Sequence, residues 1–168
     1  MNISRIVTHT WPHLDEIVAI RLLRKHGNEK YPGVSAAQVV YTSSGEDFEG
    51  KTWQEHMNTG TLLIGTGGGP FDEHPTLTEA RKQGKSACFL VAHDLALDTH
   101  PVYKRLIELV TEADQSGVAE FHIANRLKTK YRLNPKNPEK GIEMINAILD
   151  DWEQEKFLFV NDRKQLQN

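Results

Sequence analysis

The first 24 residues change pattern once, from a short β-branched run to helical spacing, and that change constrains the fold more than any other feature. Arg5 to Thr8 (RIVT) suits a strand, and from Leu14 to Arg24 apolar residues fall at Leu14, Ile17, Val18 and Leu22, one face of a helix. Gly27 ends that predicted helix. Ala37 to Thr42 (AQVVYT) supplies a second strand before the polar turn SSGED. Residues 61–64 (TLLI) supply a third, broken off by Gly65-Thr66-Gly67-Gly68-Gly69-Pro70. Strands separated by helical segments predict an α/β domain with a largely parallel sheet.

The second half reads as mostly helix. Thr76 to Gln83 is a predicted helix with Thr76 or Thr78 as its cap, and Val102 to Asp114 carries Val102, Leu106, Ile107, Leu109 and Val110 on one stripe. Ser86 to Leu97 (SACFLVAHDLAL) suits a buried strand or a buried helix by periodicity, and we read it as helix. Ile142, Ile145, Leu149 and Trp152 form an amphipathic face ahead of Phe157-Leu158-Phe159-Val160, to close the core or to make a homodimer contact. With 168 residues, no internal repeat and no long linker, one domain over 1–168 is expected, with a core over about 5–115 and a helical C-terminal extension over 116–168.

Composition narrows the setting. No apolar run approaches the roughly 18–20 residues of a membrane span, so no membrane partner is expected. The N-terminus lacks the pattern of a secretory signal, and a lone Cys88 cannot form an intrachain disulfide, which together predict the cytoplasm. A net charge of −3 gives no global pull toward nucleic acid. Locally, Arg126, Lys128, Lys130, Arg132, Lys136 and Lys140 surround Tyr131 with only Glu139 opposing them, either a phosphate-binding patch or a solvated charged face.

Chemistry concentrates at two strand ends. In T-H-T-W-P-H-L-D-E, His9 leaves a strand while His13 and Asp15 open a helix. In G-T-G-G-G-P-F-D-E-H-P, Asp72 and His74 follow the third strand. Ligands bind at the carboxyl ends of parallel strands, and imidazole and carboxylate are ligands for divalent metals. The bland alternatives are surface histidines, and acids at Asp15 and Glu16 that merely answer the helix dipole. Gly67, Gly68 and Gly69 let backbone approach a bound group, which makes them candidate substrate contacts. A dinucleotide fingerprint fits poorly, because Pro70-Phe71-Asp72 stands where its helix should open. Asp114 follows Ile107 by seven residues and Val110 by four, so it shares the buried face of its helix. An acid there needs a metal or a basic partner, unless a fraying end before Gly117 lets it reach water. Cys88, Trp11, Trp53 and Trp152 read as packing residues, and Glu55 and His56 as surface.

The string H-x-x-P-H-x-D from His9 to Asp15 resembles the first motif of the DHH phosphoesterase family, in the variant of its melanocyte-proliferating-gene type, which has histidine at the second position. F-D-E-H is similar to that family's D-H-H motif, with Asp72, Glu73 and His74 on its three positions, and E-L-V-T-E-A-D resembles the segment with its last metal-binding aspartate, here Asp114. The resemblance covers about residues 5–115. The chain departs from the pattern in three places. Gly65 stands where the family has an aspartate before its glycine pair, Glu73 replaces the central histidine that contacts the scissile phosphate, and about 50 residues follow Asp114.

The resemblance implies a parallel-sheet DHH-like domain holding manganese or magnesium on His9, His13, Asp15, Asp72 and Asp114. It assigns His74 and Glu73 to catalysis, His74 contacting the phosphate or protonating the leaving oxygen and Glu73 supplying a ligand that Gly65 cannot. The activity expected is hydrolysis of a phosphoester in a nucleotide or short nucleic acid. The alternatives are a DHH-like module that binds metal or nucleotide without turnover, and a metal-dependent hydrolase of another bond. His93-Asp94 also resembles the pair of the all-helical HD hydrolases, but the strand-rich first half points away from that fold. There we expect His93 to cap a buried stretch and Asp94 to face solvent.

Overall fold

A computed structural model of the chain describes residues 1–43, 48–74, 85–116 and 122–165. Strand β1 (Arg5–His9) is central in a three-stranded sheet, flanked by β2 (Gln38–Thr42) and β3 (Thr61–Leu63) in the order β2-β1-β3, with both pairings parallel. Ile6 lies opposite Val39 and Leu62, and Val7 opposite Val40 and Leu63. Successive strand residues point to opposite faces, so the full burial of Ile6, Val7 and Thr8 means that both faces of β1 are covered.

Among the described residues helix α1 (Leu14–His26) follows β1, α2 (Trp53–Asn58) precedes β3, and α3 (Ala87–Asp94), α4 (Lys104–Ser116), α5 (His122–Leu133) and α6 (Glu139–Gln165) come after the sheet. The α/β class, the parallel strands and the helical second half agree with the sequence reading, and Ser86 to Leu97 is indeed helical over α3. The predicted helix at Thr76 to Gln83 lies outside the described residues, as do most of the SSGED turn and Gly117.

Helix α1 is the hub, in contact with α3, α4, α5 and α6. It is therefore buried on more than its apolar stripe. Asp15, Glu16 and Arg21 are enclosed along with Leu14, Ile17, Val18, Ala19, Leu22 and Leu23. Arg21 donates from Nε to Glu153 Oε1 at 2.9 Å and from Nη2 to Asp150 Oδ1 at 2.6 Å, and Lys25 also reaches Glu153. Those acids lie on α6, whose Ile145 and Leu149 are buried in the same core. The Ile142 to Trp152 face thus closes the core of this chain.

Two local readings are corrected. His56 is buried, its Nε2 2.7 Å from the Phe48 carbonyl oxygen and its ring against Phe48, because α2 packs on β3. Asp94 is half-buried, accepting from Tyr31 Oη at 2.7 Å and from Lys30 Nζ at 2.6 Å, whereas His93 is the exposed member and pairs with Asp98. Among the described residues no helix is long and apolar enough to cross a membrane.

Candidate metal centre

Three segments distant in sequence meet beyond the carboxyl end of β1. His13 is the extended residue that opens α1, and Asp15 and Glu16 occupy its first, buried turn. The turn after β3 delivers Asp72, Glu73 and His74, and the last turn of α4 delivers Asp114. Asp15, Glu73 and Asp114 each place a carboxylate oxygen within 4.8 Å of the other two.

Asp15 Oδ2 accepts from the Ala87 amide at 3.2 Å, at the start of α3. Asp15 Oδ1 and Glu73 Oε2 are buried with no hydrogen-bond partner among the described residues, in side chains whose residues are only 2% and 1% exposed. Burial pushes the Asp15 carboxyl well above its ordinary range, the charges of Asp114, Glu16 and Glu73 push it further, and the Ala87 amide opposes them. Glu73 is raised by burial and by Asp114 and Asp72, against an opposing pull from His74. Two buried carboxylates with the half-buried Asp114 beside them cannot all carry charge without a compensating cation. Orphaned oxygens among oxygen donors fit a hard divalent ion such as Mn2+ or Mg2+.

Glu16 is the residue that the sequence reading passed over. Its Oε1 accepts from Thr8 Oγ1 at 2.9 Å and from His9 Nδ1 at 2.6 Å, and its Oε2 accepts from the His13 amide at 2.7 Å. These bonds fix the β1 to α1 loop and leave Nε2 of His9 for a ligand. The Glu16 carboxylate raises the His9 imidazole above its ordinary pKa, with burial pulling the other way. The signal was present: Glu16 is three residues past His13, the place of a capping glutamate.

Asp72 is committed locally. Its Oδ2 accepts from the Gly68 amide at 2.8 Å, and its Oδ1 accepts from the amide and Nδ1 of His74 at 3.0 and 2.9 Å. Burial alone would raise the Asp72 carboxyl, but the His74 ring and these amides outweigh it and hold it below the usual carboxylate value. Asp72 still stands in a cluster with Glu73 and His74 that has metal-ligand spacing. His74, its Nδ1 bound to Asp72, meets His9 edge-on at 6.0 Å between ring centroids.

The glycines serve the turn itself. Gly67 and Gly69 are buried against Leu63 and Trp53, and the Gly68 amide is spent on Asp72. A cavity of about 420 Å³ opens above the acids instead, with His13, Asp15, His74 and Asp114 on one side and Trp11, Lys128, Tyr131 and Arg132 among its other lining residues. Gly67, Gly68 and Gly69 are not part of that lining. Part of the basic segment therefore lines the same cavity as Asp15 and Asp114, a juxtaposition that no local pattern reveals. Compared with protein-family models, with curated proteins and with solved structures, the chain matches none of them.

Proposed function

We propose that this chain is a DHH-like, divalent-metal-dependent phosphohydrolase acting on a phosphoester of a nucleotide or short nucleic acid. The carrying observation is the pair of orphaned oxygens, Asp15 Oδ1 and Glu73 Oε2, inside a three-carboxylate cluster beside a cavity with cationic side chains. Asp15, Glu73 and Asp114 would hold the ion, with His13 and the free Nε2 of His9 as further donors. Such an ion neutralises phosphoryl charge and acidifies a bound water. His74 lines the cavity with its ring held by Asp72 at Nδ1, a place from which it would contact the phosphate or protonate the leaving oxygen. Glu73 shares its place with the acids, which suits holding the ion better than touching a phosphate.

The test is manganese titration of EDTA-treated protein, followed by thermal melting and by hydrolysis of bis-p-nitrophenyl phosphate and short oligonucleotides. We expect manganese to raise the melting temperature and to switch on hydrolysis, and Asp15→Ala and Glu73→Gln to lose both. Stabilisation without turnover of any phosphate ester would instead make the chain a metal- or nucleotide-binding module. Turnover of amides alone would make it a different hydrolase. No response to manganese would end the metal reading.

A further inference from the structure

Lys128 and Arg132, four residues apart, share one face of α5, a helix with no acidic residue. Both are exposed, both line the cavity, and neither has an ion-pair partner among the described residues. Two uncompensated cations face a cavity that ends in carboxylates. An anion held between the cations and an ion on the acids satisfies both walls. The third component is Trp11, 38% exposed on the loop that also carries His13. Its ring stands edge-on to Tyr131 at 5.3 Å and 71°, and Tyr131 is itself anchored by its hydroxyl, which donates to the Pro12 carbonyl at 2.8 Å. The aromatic pair is thereby fixed at the cavity wall, where a flat ring can stack on Trp11. At about 420 Å³ the cavity lies in the lower part of the small-molecule range of about 300–1,000 Å³, a size for one nucleotide unit.

We propose that α5 and the loop before α1 form a mononucleotide-binding wall, in which Lys128 and Arg132 hold the phosphate of a nucleoside monophosphate unit and Trp11 stacks on its base. The placement of the phosphate next to the acids rests on the metal reading above. The stacking and the cationic contacts do not. The unit is either a free nucleotide or the end of a short strand, since both present the same phosphate and base.

The experiment is calorimetric titration of AMP, ribose 5-phosphate and the dinucleotide pApA, with and without manganese, into the wild type, Trp11→Ala, Trp11→Phe and Lys128→Ala/Arg132→Ala. Melting curves check that each variant is folded. The wild type should bind AMP about ten-fold more tightly than ribose 5-phosphate. Trp11→Ala should erase that difference, Trp11→Phe should retain most of it, and the double variant should weaken both ligands by ten-fold or more. AMP tighter than pApA points to a free nucleotide and the reverse to a strand end, and each supports the wall. Equal binding of AMP and ribose 5-phosphate by the wild type, or AMP binding unchanged in Trp11→Ala, overturns it. Manganese binding without base preference would remove the wall and leave the metal centre, whereas base preference without manganese binding would do the opposite.

Discussion

Glu16 occupies the space into which a side chain on Gly65 would grow: a Cβ there would lie 2.5 Å from Glu16 Oε1. The carboxylate beside the turn after β3 is thus supplied from α1. The carboxylate is not left free, since Thr8, His9 and His13 all donate to it.

Gly65→Ala should therefore cost stability in two ways. Gly65 has φ of +66°, in the left-handed region, where a Cβ costs roughly 1–2 kcal/mol, and the new methyl must also displace Glu16. A total loss of about 2 kcal/mol or more in urea unfolding is expected. Glu16→Ala removes the clash but not the backbone strain, so the double variant should be less destabilised than the sum of the singles. Strict additivity would show that the two residues do not compete for that space.

The acid cluster predicts an unusual pH response in metal-free protein. The Asp15 pKa is raised on folding, so the folded state binds protons more tightly than the unfolded one, and stability falls as pH rises above the ordinary value of 3.8 toward the raised folded value. Glu73 acts in the same direction from its ordinary value of 4.5. EDTA-treated wild type should lose melting temperature as pH rises above about 4, and Asp15→Asn should flatten that slope while abolishing the manganese response. A melting temperature that rises with pH there in the wild type, with no change in slope in Asp15→Asn, would contradict the assignment.

How far the sequence foretold this site depended on the kind of signal each residue gives. Asp15 was legible because it stands with His9 and His13 where a strand gives way to a helix, and Asp114 because it follows Ile107 by seven residues and Val110 by four, on a helix face where the structure leaves it half-buried. The parallel strands were legible for the same local reason. Glu16 was not, because an acid in a first helical turn is already accounted for by the dipole, and only the enclosure of α1 by four other helices turns it into a buried anchor. His56 looked like a surface residue on a short helix, yet the packing of α2 on β3 buries it. The sharing of one cavity by Lys128 and Arg132 with Asp15 and Asp114 is a tertiary relationship between segments that no period connects.

Arg21 and Glu153 are 132 residues apart in sequence and bind α6 to α1. Removing Glu153 leaves the buried Arg21 with Asp150 as its remaining acid, so Glu153→Ala should lose roughly 1–3 kcal/mol in denaturant unfolding. Replacing both partners together, as in Arg21→Met/Glu153→Met, should recover much of that loss. Burial would raise Glu153, but Arg21 and Lys25 hold it below its ordinary value of 4.5. A depressed folded pKa gives stability that is present above 4.5 and lost as pH falls through the folded value. The wild type should thus show an acid-side loss that Glu153→Gln lacks.

Gly141 offers a separate test of how α6 shapes the cavity. A glycine inside a helix costs about 1 kcal/mol relative to alanine, so Gly141→Ala would ordinarily stabilise α6. Here an added Cβ would lie 2.6 Å from Tyr131 Cε1 and 3.0 Å from Leu127 Cδ1. Tyr131 cannot simply swing away, because its hydroxyl is bonded to the Pro12 carbonyl and its ring supports Trp11. We expect Gly141→Ala to melt no higher than the wild type, to quench or shift the Trp11 fluorescence contribution, and to weaken AMP binding several-fold while leaving ribose 5-phosphate binding nearly unchanged. If the variant is instead stabilised by the full helical gain and binds AMP normally, then Tyr131 yields without cost and its bond to Pro12 does not position Trp11.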